Sequence, residues 1–423
     1  MTLAARVGRA MRAALADVTP LRSSPPFRRL FAGQAVSSVG TQVTQVAVPL
    51  QVYEITHSTL AVGLVGLAGL VPLVLFGLYG GAIADAVDRR RLIIATSTGT
   101  MLVSLVLLAQ AALRVERVGL LLACVVVQAG FAAVDSPTRR AIIPQLVGPE
   151  LLPAANTLTY GSGMLSIIVG PLLAGVAISA GGFGWAYGID VASFAGAFAA
   201  AAGLPRLPPG HGARGAGLAS VVEGLRFAAT NRVVLMTFVA DIIAMVFASP
   251  RAVFPALASE RFGGGPRTVG LLYAAVAVGA LGASGLGGAV ARLRRQGLGV
   301  VVAIMAWGAA IAMLGLSRVL WVGLAMLAVA GAADTVSAIY RSSILQAAAP
   351  AGMQGRLQGL FIVVVTGGPR LGDLEVGAVG NAFTPAFALV GGGLACMAGI
   401  ALVALLVPAF VRYDAGHPAR ASS

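Results

Sequence analysis

Several ionisable residues stand inside long apolar segments, where a charged side chain is costly and is a functional candidate by default. Asp241 follows Arg232 by nine residues, so in a helix it lies about 13 Å into a hydrocarbon core roughly 30 Å thick. A carboxylate at that depth can take up a proton, lose its charge and change its helix contacts. The predicted proton-coupling candidates are Asp241, Asp334, Arg370, Asp373 and Glu375.

The same residues also fit a second interpretation, a static ion-pair network that locks helices together. Arg370 and Asp373 are three residues apart on one helix face and can pair with each other. Asp241 has no evident partner in its own segment, which favours a functional role. Asp190 lies near Trp185 and Tyr187, and we expect it to have a structural role close to the membrane interface.

A stripe of neutral polar residues runs along the first apolar segment. Gln34, Ser38, Gln42 and Gln45 are spaced by four, four and three residues, which places them on one helix face. Such a face predicts a water-filled cavity in which amides hydrogen-bond a polar substrate, and Gln128 is a further candidate. The alternative is hydrogen bonding between helices.

The composition tells which class of protein carries these residues. Of 423 residues, 58% are hydrophobic and 10% charged, and the mean hydropathy is +0.91. Soluble domains have about 45–50% apolar and about 25% charged residues, so a soluble enzyme, a disordered chain and a fibrous protein are all excluded. The net charge is +14 and all 29 basic residues are arginine. Because they stand between apolar segments, we do not expect a nucleic-acid partner.

Twelve apolar spans account for most of the chain. Each should be a helix, because backbone groups in hydrocarbon must be satisfied internally. The predicted fold class is therefore an all-α integral membrane protein with twelve transmembrane helices in two six-helix halves. The spans are 29–52, 60–84, 92–113, 118–138, 153–179, 183–204, 232–257, 268–291, 298–316, 319–345, 356–380 and 383–411.

The arginines predict the orientation. The two tails and the even-numbered loops hold 22 arginines, counting Arg139, Arg140 and Arg341, and the odd-numbered loops hold six, including Arg251. Basic residues stay on the cytoplasmic side, so we expect both termini in the cytoplasm and the chain in the cytoplasmic (inner) cell membrane.

An internal repeat divides the chain into halves. Val62-Gly63-Leu64 recurs as Val269-Gly270-Leu271 at an offset of 207 residues. Two parallel six-helix repeats are typical of major facilitator transporters. The predicted boundaries are 1–27 for a basic tail, 28–204 for the N-terminal half, 205–231 for a linker, 232–412 for the C-terminal half and 413–423 for a second tail.

The segment from Gly81 to Arg91 resembles the G-x-x-x-D-x-x-G-R-[RK] signature of the major facilitator superfamily. The resemblance implies a conformational latch formed by Gly81, Asp85, Arg89 and Arg90. Ala86 and Asp88 depart from the pattern, and an ordinary charged turn is the alternative.

The fifth span is similar to the G-x-x-x-G-P-x-x-G-G signature of the superfamily's exporters. Its residues Gly170, Pro171 and Gly175 imply a helix bend against which a neighbour packs. Ser166 and Ala174 replace two of the glycines.

Further stretches resemble the enterobactin (siderophore) exporter branch, among them Phe254-Pro255-Ala256-Leu257-Ala258 and Gly355-Arg356-Leu357-Gln358-Gly359. The resemblance implies a monomeric, proton-coupled secondary transporter that exports a small organic molecule, with a siderophore as the specific expectation. A broad multidrug exporter and a non-transporting sensor or scaffold are the alternatives. We expect no enzymatic activity, cofactor or metal, and protons, substrate and the lipid bilayer as partners.

Overall fold

The computed structural model describes residues 17–205, 223, 226–285, 287, 294–350 and 353–414, with only the backbone of 77–86 and 355. Every regular element in these ranges is a helix, as the all-α prediction requires. The eleven long helices are α1 (Pro25–Thr56), α2 (Thr59–Ala86), α3 (Arg89–Ala112), α4 (Val118–Leu146), α5 (Leu152–Ala202), α6 (Arg232–Phe247), α7 (Pro266–Gly285), α8 (Gln296–Leu316), α9 (Leu320–Ala348), α10 (Gln354–Ala382) and α11 (Pro385–Leu406).

Six short helical elements have both ends within the described residues. Three of them follow α6 in succession and continue its path without forming a new span. The six are Thr19–Ser23, Pro149–Leu151, Arg251–Val253, Phe254–Ala256, Leu257–Arg261 and Pro408–Val411.

Side-chain caps fix where several of the long helices begin. Ser58, Asn231 and Thr384 each accept a hydrogen bond from a backbone N–H in the first turn of the helix that follows. Asp88 does the same for α3, because its Oδ1 accepts from the Arg91 N–H at 3.1 Å. This cap gives a physical reason for Asp88 at a position where the superfamily signature has glycine.

Helix α5 contains two of the predicted spans, joined by a reversal at Gly181 and Gly182, whose backbone angles are not helical. Residues on both sides of the break meet α1 at the same level. A Cβ added to Gly170 would lie 2.3 Å from the Gln42 Cβ, while one added to Gly40 would lie 2.8 Å from the Asp190 Oδ1. The chain therefore turns back on itself, and the helices are consistent with twelve passes.

Nine stretches of the described helices are long and apolar enough to cross a membrane. Helices α1 and α10 are outside that set, because they carry the glutamine stripe and the charges at 370–375. Helix α4 continues to Leu146, well beyond its predicted end at residue 138, and α9 continues to Ala348. Arg139, Arg140 and Arg341, which the orientation argument counts as loop residues, therefore lie inside helices.

The two halves meet at the end of the bundle where α1 ends and α2 begins, which we call the distal end. Thr59 Oγ1 donates to the Gly377 carbonyl at 2.8 Å, and Ser58 Oγ donates to Asn381 Oδ1 at 2.8 Å. Tyr53 donates to Glu260 Oε1 at 2.5 Å. The distal end is therefore closed by hydrogen bonds between the halves.

Candidate functional site

A polar cavity of about 730 Å³ lies in the N-terminal half, on the side away from the distal end. Helices α1, α3, α4 and α5 form its walls. Three of the predicted substrate-binding residues, Gln34, Ser38 and Gln128, line it. The size is within the roughly 300–1,000 Å³ of small-molecule sites.

One wall of this cavity carries an ion pair that the sequence analysis missed. Arg139 Nε lies 2.5 Å from Asp135 Oδ2, one helical turn away in α4. Thr96 Oγ1 donates to the other carboxylate oxygen at 2.7 Å, and Arg139 Nη2 donates to Ser97 Oγ at 3.1 Å. The i, i+4 spacing of an acid and an arginine was the available signal. It was overlooked because the predicted span ended at residue 138.

A second cavity of about 250 Å³ lies between the halves, closer to the distal end. It shares Thr41, Gln128 and Ala132 with the larger cavity, so the two are adjoining parts of one path. Its other polar wall residues are Thr44, Gln45, Arg251, Tyr273, Arg370 and Asp373.

The polar stripe of α1 differs from the predicted one at a single position. Thr41 lines both cavities, whereas Gln42 lines neither and packs against Gly170 of α5. A helical face with 3.6 residues per turn passes from Ser38 through Thr41 to Gln45. The predicted spacing of four residues after Ser38 therefore selected Gln42, whereas the residue on the cavity face is its neighbour Thr41.

Arg370 and Asp373 have separate partners rather than each other. Arg370 Nη1 donates to the Gly69 carbonyl of α2. Pro72 has no N–H to donate to the Ala68 carbonyl, so the helical ladder is already interrupted beside the acceptor. Asp373 Oδ1 accepts from Ser249 Oγ at 2.8 Å. These residues tie α10 to the other half and to the end of α6.

Asp241, which lacks a partner in its own helix, forms an ion pair with Arg341 of α9. The Arg341 and Asp241 side chains are only 2% and 3% exposed. Arg341 Nη2 also lies 3.7 Å from Asp334 Oδ1, whose side chain is 40% exposed, and the guanidinium carbon is 5.8 Å from the Phe361 ring centroid. One arginine thus connects α6, α9 and α10.

This cluster is only partly satisfied. Within the described part of the chain, Asp241 Oδ2, Arg341 Nε and Ser337 Oγ are buried without a hydrogen-bond partner. Buried ionic groups with unused hydrogen-bonding capacity are costly. The cluster therefore contains buried charges that the described residues compensate only in part.

Two other carboxylates have different surroundings. Asp190 is fully buried, and its Oδ2 accepts from Ser104 Oγ at 2.7 Å. Gln128 Nε2 in turn lies 3.5 Å from the same hydroxyl. Asp190 is therefore connected through Ser104 to the cavity residue Gln128. Glu375 is half-buried in α10 and has no hydrogen-bond or ion-pair partner in the described ranges.

Two of the four predicted latch residues can be placed. Arg90 Nη2 donates to the Ala202 carbonyl at 2.7 Å, and Arg89 Nη1 donates to the Ala141 carbonyl at 3.2 Å. Both contacts stay in the N-terminal half. Only the backbone is described for Gly81 and Asp85, so the latch stays a prediction.

The small residues of α5 permit close packing on two sides. A Cβ at Gly175 would lie 2.8 Å from the Pro266 carbonyl oxygen, and one at Gly270 would lie 2.4 Å from that of Pro171. These contacts join α5 to α7 of the other half. The helix continues through Pro171, and its break comes later, at Gly181 and Gly182.

Comparisons with known proteins agree on the family. A family model described as transmembrane secretion effector matches residues 15–417. The chain is 31% identical over 394 residues to an enterobactin exporter of Citrobacter koseri, covering 93% of this chain and 94% of the relative. It is 30% identical over 395 residues to an enterobactin exporter of Shigella boydii, with the same coverage.

Solved structures agree on the fold. A nucleoside transporter superimposes with a TM-score of 0.73 at 12% identity, covering 91% of this chain and 98% of that one. An inward-facing bacterial homologue of the iron transporter ferroportin gives 0.66 at 15% identity, covering 92% and 99%. The chain is therefore a multi-pass membrane transporter that belongs to the transmembrane secretion effector family of the major facilitator superfamily.

Proposed function

We propose that this transporter exports a small organic molecule in exchange for protons, and that its substrate is a siderophore of the enterobactin type. The observation that carries the substrate is the likeness to enterobactin exporters over 93% of the chain at 31% identity. The polar cavities support it, because a siderophore has many hydrogen-bonding groups and requires polar partners in a buried site.

The transport direction rests on the orientation of the bundle. With both termini in the cytoplasm, as the arginine distribution predicts, the distal end faces outward and the larger cavity is on the cytoplasmic side. The described state would then be inward-facing, ready to take substrate from the cell. Rocking of the two halves about the cavities would open the distal end.

Proton coupling is assigned to the cluster of Asp241, Arg341 and Asp334. A proton on Asp241 removes its attraction for Arg341, which can then pair with Asp334, already 3.7 Å away. Such a change would alter how α6 packs on α9. The coupling would therefore occur in the C-terminal half, while the larger cavity is in the N-terminal half.

The two cavities argue for the assignment of Gln34, Ser38, Gln45 and Gln128 to substrate binding. Their amides and hydroxyls present both donors and acceptors along one path. The boundaries of the halves and the monomeric state are part of the same proposal. The proposed linker, 205–231, would separate the halves, and a single monomer would contain the whole substrate path.

A strain lacking the gene, grown with and without iron, tests the substrate assignment. Secreted and intracellular small molecules are compared with the parent strain by mass spectrometry. We expect an iron-binding metabolite to disappear from the medium and accumulate in the cell under iron starvation, with recovery on complementation. An unchanged secreted profile would contradict the siderophore assignment and favour the multidrug alternative.

A further inference from the structure

We propose that Arg251 and Arg370 form a subsite for an anionic group of the substrate, a carboxylate or a phenolate, at the distal end of the path. The inference rests on the proposed transport function and makes its substrate class more specific. Neither residue was among the predicted substrate-binding residues, which were all neutral.

The two arginines come from different elements of the C-terminal half and face the same space. Arg251 begins the short helix Arg251–Val253 after α6, and Arg370 is in the middle of α10. Both line the 250 Å³ cavity between the halves. The predicted span 232–257 contains Arg251, although the arginine count assigned this residue to an outer loop.

The guanidinium groups have unused donors. Arg251 is exposed to the cavity and donates no hydrogen bond to any described residue. Arg370 uses Nη1 for the Gly69 carbonyl, which fixes the group in place and leaves the other donors of its five N–H bonds for a ligand. A planar guanidinium binds carboxylates and similar oxyanions with two parallel hydrogen bonds.

The charge balance of the cavity favours an anion. Its described charged wall residues are Arg251, Arg370 and Asp373, a net charge of +1 from two cations and one anion. The Asp373 carboxylate already accepts from Ser249. The larger cavity is also positive, because Arg139 and Arg140 exceed Asp135 by one charge. The net positive charge of both cavities favours an anionic over a cationic substrate.

The space suits one group of a larger molecule. A cavity of about 250 Å³ is smaller than whole drug-sized sites, which start at roughly 300 Å³. Tyr273 forms part of its wall and packs edge-on against Phe254, with ring centroids 4.9 Å apart. The rest of the substrate would extend past Gln128 into the larger cavity.

Two fluorescent xanthene dyes of similar size test the subsite, carboxyfluorescein as the anion and rhodamine 123 as the cation. Each is titrated with the purified full chain in lipid nanodiscs, and binding is followed by fluorescence anisotropy. We expect carboxyfluorescein to bind at least about tenfold more tightly than rhodamine 123. Arg251→Gln should weaken binding of the anion roughly 10- to 100-fold, the size of a charge-assisted hydrogen bond, and should not weaken binding of the cation.

Further variants separate charge from geometry and from folding. Arg251→Lys should retain part of the anion affinity, because it keeps the charge and loses the fork of donors. Arg117→Gln removes an exposed distal arginine outside both cavities and should change neither affinity.

Equal binding of the two dyes, no binding of carboxyfluorescein, or an unchanged affinity of Arg251→Gln would overturn the subsite. Binding is read without flux, so the outcomes of the two proposals are distinguishable. Anion binding without gradient-driven transport would contradict the proposed function alone. Transport without a charge preference would contradict the subsite alone.

Discussion

Arg341 of α9 and Asp241 of α6 form an ion pair with side chains only 2% and 3% exposed. Removal of one partner from a buried pair leaves an uncompensated charge and costs about 3–5 kcal/mol, whereas removal of both costs much less. Asp241→Asn and Arg341→Gln should each lower the unfolding midpoint of the detergent-purified protein, and the double variant should recover most of the loss.

An exposed pair gives the matched control for this cycle. Arg356 and Glu223 form an ion pair with side chains 36% and 54% exposed, and such pairs contribute at most about 1 kcal/mol. Arg356→Gln should barely change the unfolding midpoint. If the losses from the two buried single variants simply add in the double variant, the pair is not energetically coupled.

The hydrogen bond from Tyr53 to Glu260 helps to close the distal end. Tyr53→Phe removes a bond to a charged acceptor, worth about 1.5–3 kcal/mol, from this conformation only. The distally open state should gain roughly tenfold or more in population. Spin labels at Arg114→Cys and Arg318→Cys, with both native cysteines replaced, report the distance between distal loops of the two halves.

Glu260→Gln should shift this distance distribution in the same direction. Glu116→Gln removes an exposed carboxylate beside one labelled loop and should leave it unchanged. Identical distributions for Tyr53→Phe and the parent would mean that this hydrogen bond has no part in closure.

Gly170 allows α5 to approach α1. An added Cβ would lie 2.3 Å from the Gln42 Cβ, so Gly170→Ala should destabilise the protein by about 1–3 kcal/mol through overpacking. Gly161 lies in the same helix with no atom within 4 Å of such a Cβ, and Gly161→Ala should not destabilise. Thermal unfolding of both variants in detergent compares them. Equal unfolding midpoints for the two variants would contradict the predicted overpacking between α1 and α5.

Gln128 lines both cavities, whereas Gln42 lines neither. Gln128→Leu should raise KM for the exported molecule about two- to tenfold, the cost of one neutral hydrogen bond, with little change in kcat. Gln42→Leu should leave KM close to the parent value. Initial rates over a range of substrate concentrations measure both, and an equal rise in the two variants would remove Gln128 from the binding site.

Much of the fold was accessible from the sequence, because hydrocarbon permits few structures. Long apolar segments predicted helices, because every backbone N–H and C=O in hydrocarbon must be hydrogen-bonded within the protein. The repeat at residues 62 and 269 predicted the two halves. The same reasoning misplaced Arg139. A span judged by hydropathy ends at the first charge, whereas a helix continues wherever that charge finds an ion-pair partner, as Arg139 does in Asp135.

The candidate site was only partly predictable for a related reason. Depth along one helix identified Asp241, but its partner is a hundred residues away in sequence, and only packing brings the two together. Arg251 could not be distinguished from a loop arginine, because the sequence does not reveal that the turn after Phe247 lies beside a cavity. Periodicity located the α1 stripe to within one residue and no better.

The most direct test of the whole account is accumulation of enterobactin in proteoliposomes with an acidic lumen, in which the transporter is inserted inside-out. The account predicts accumulation by the parent protein and its loss when a protonophore collapses the gradient. Asp241→Asn should lose it while still folded at the assay temperature, and Asp241→Glu, which keeps a titratable group, should retain part of it. Accumulation that survives both the protonophore and Asp241→Asn, or no accumulation at all, would contradict proton-coupled export of this substrate.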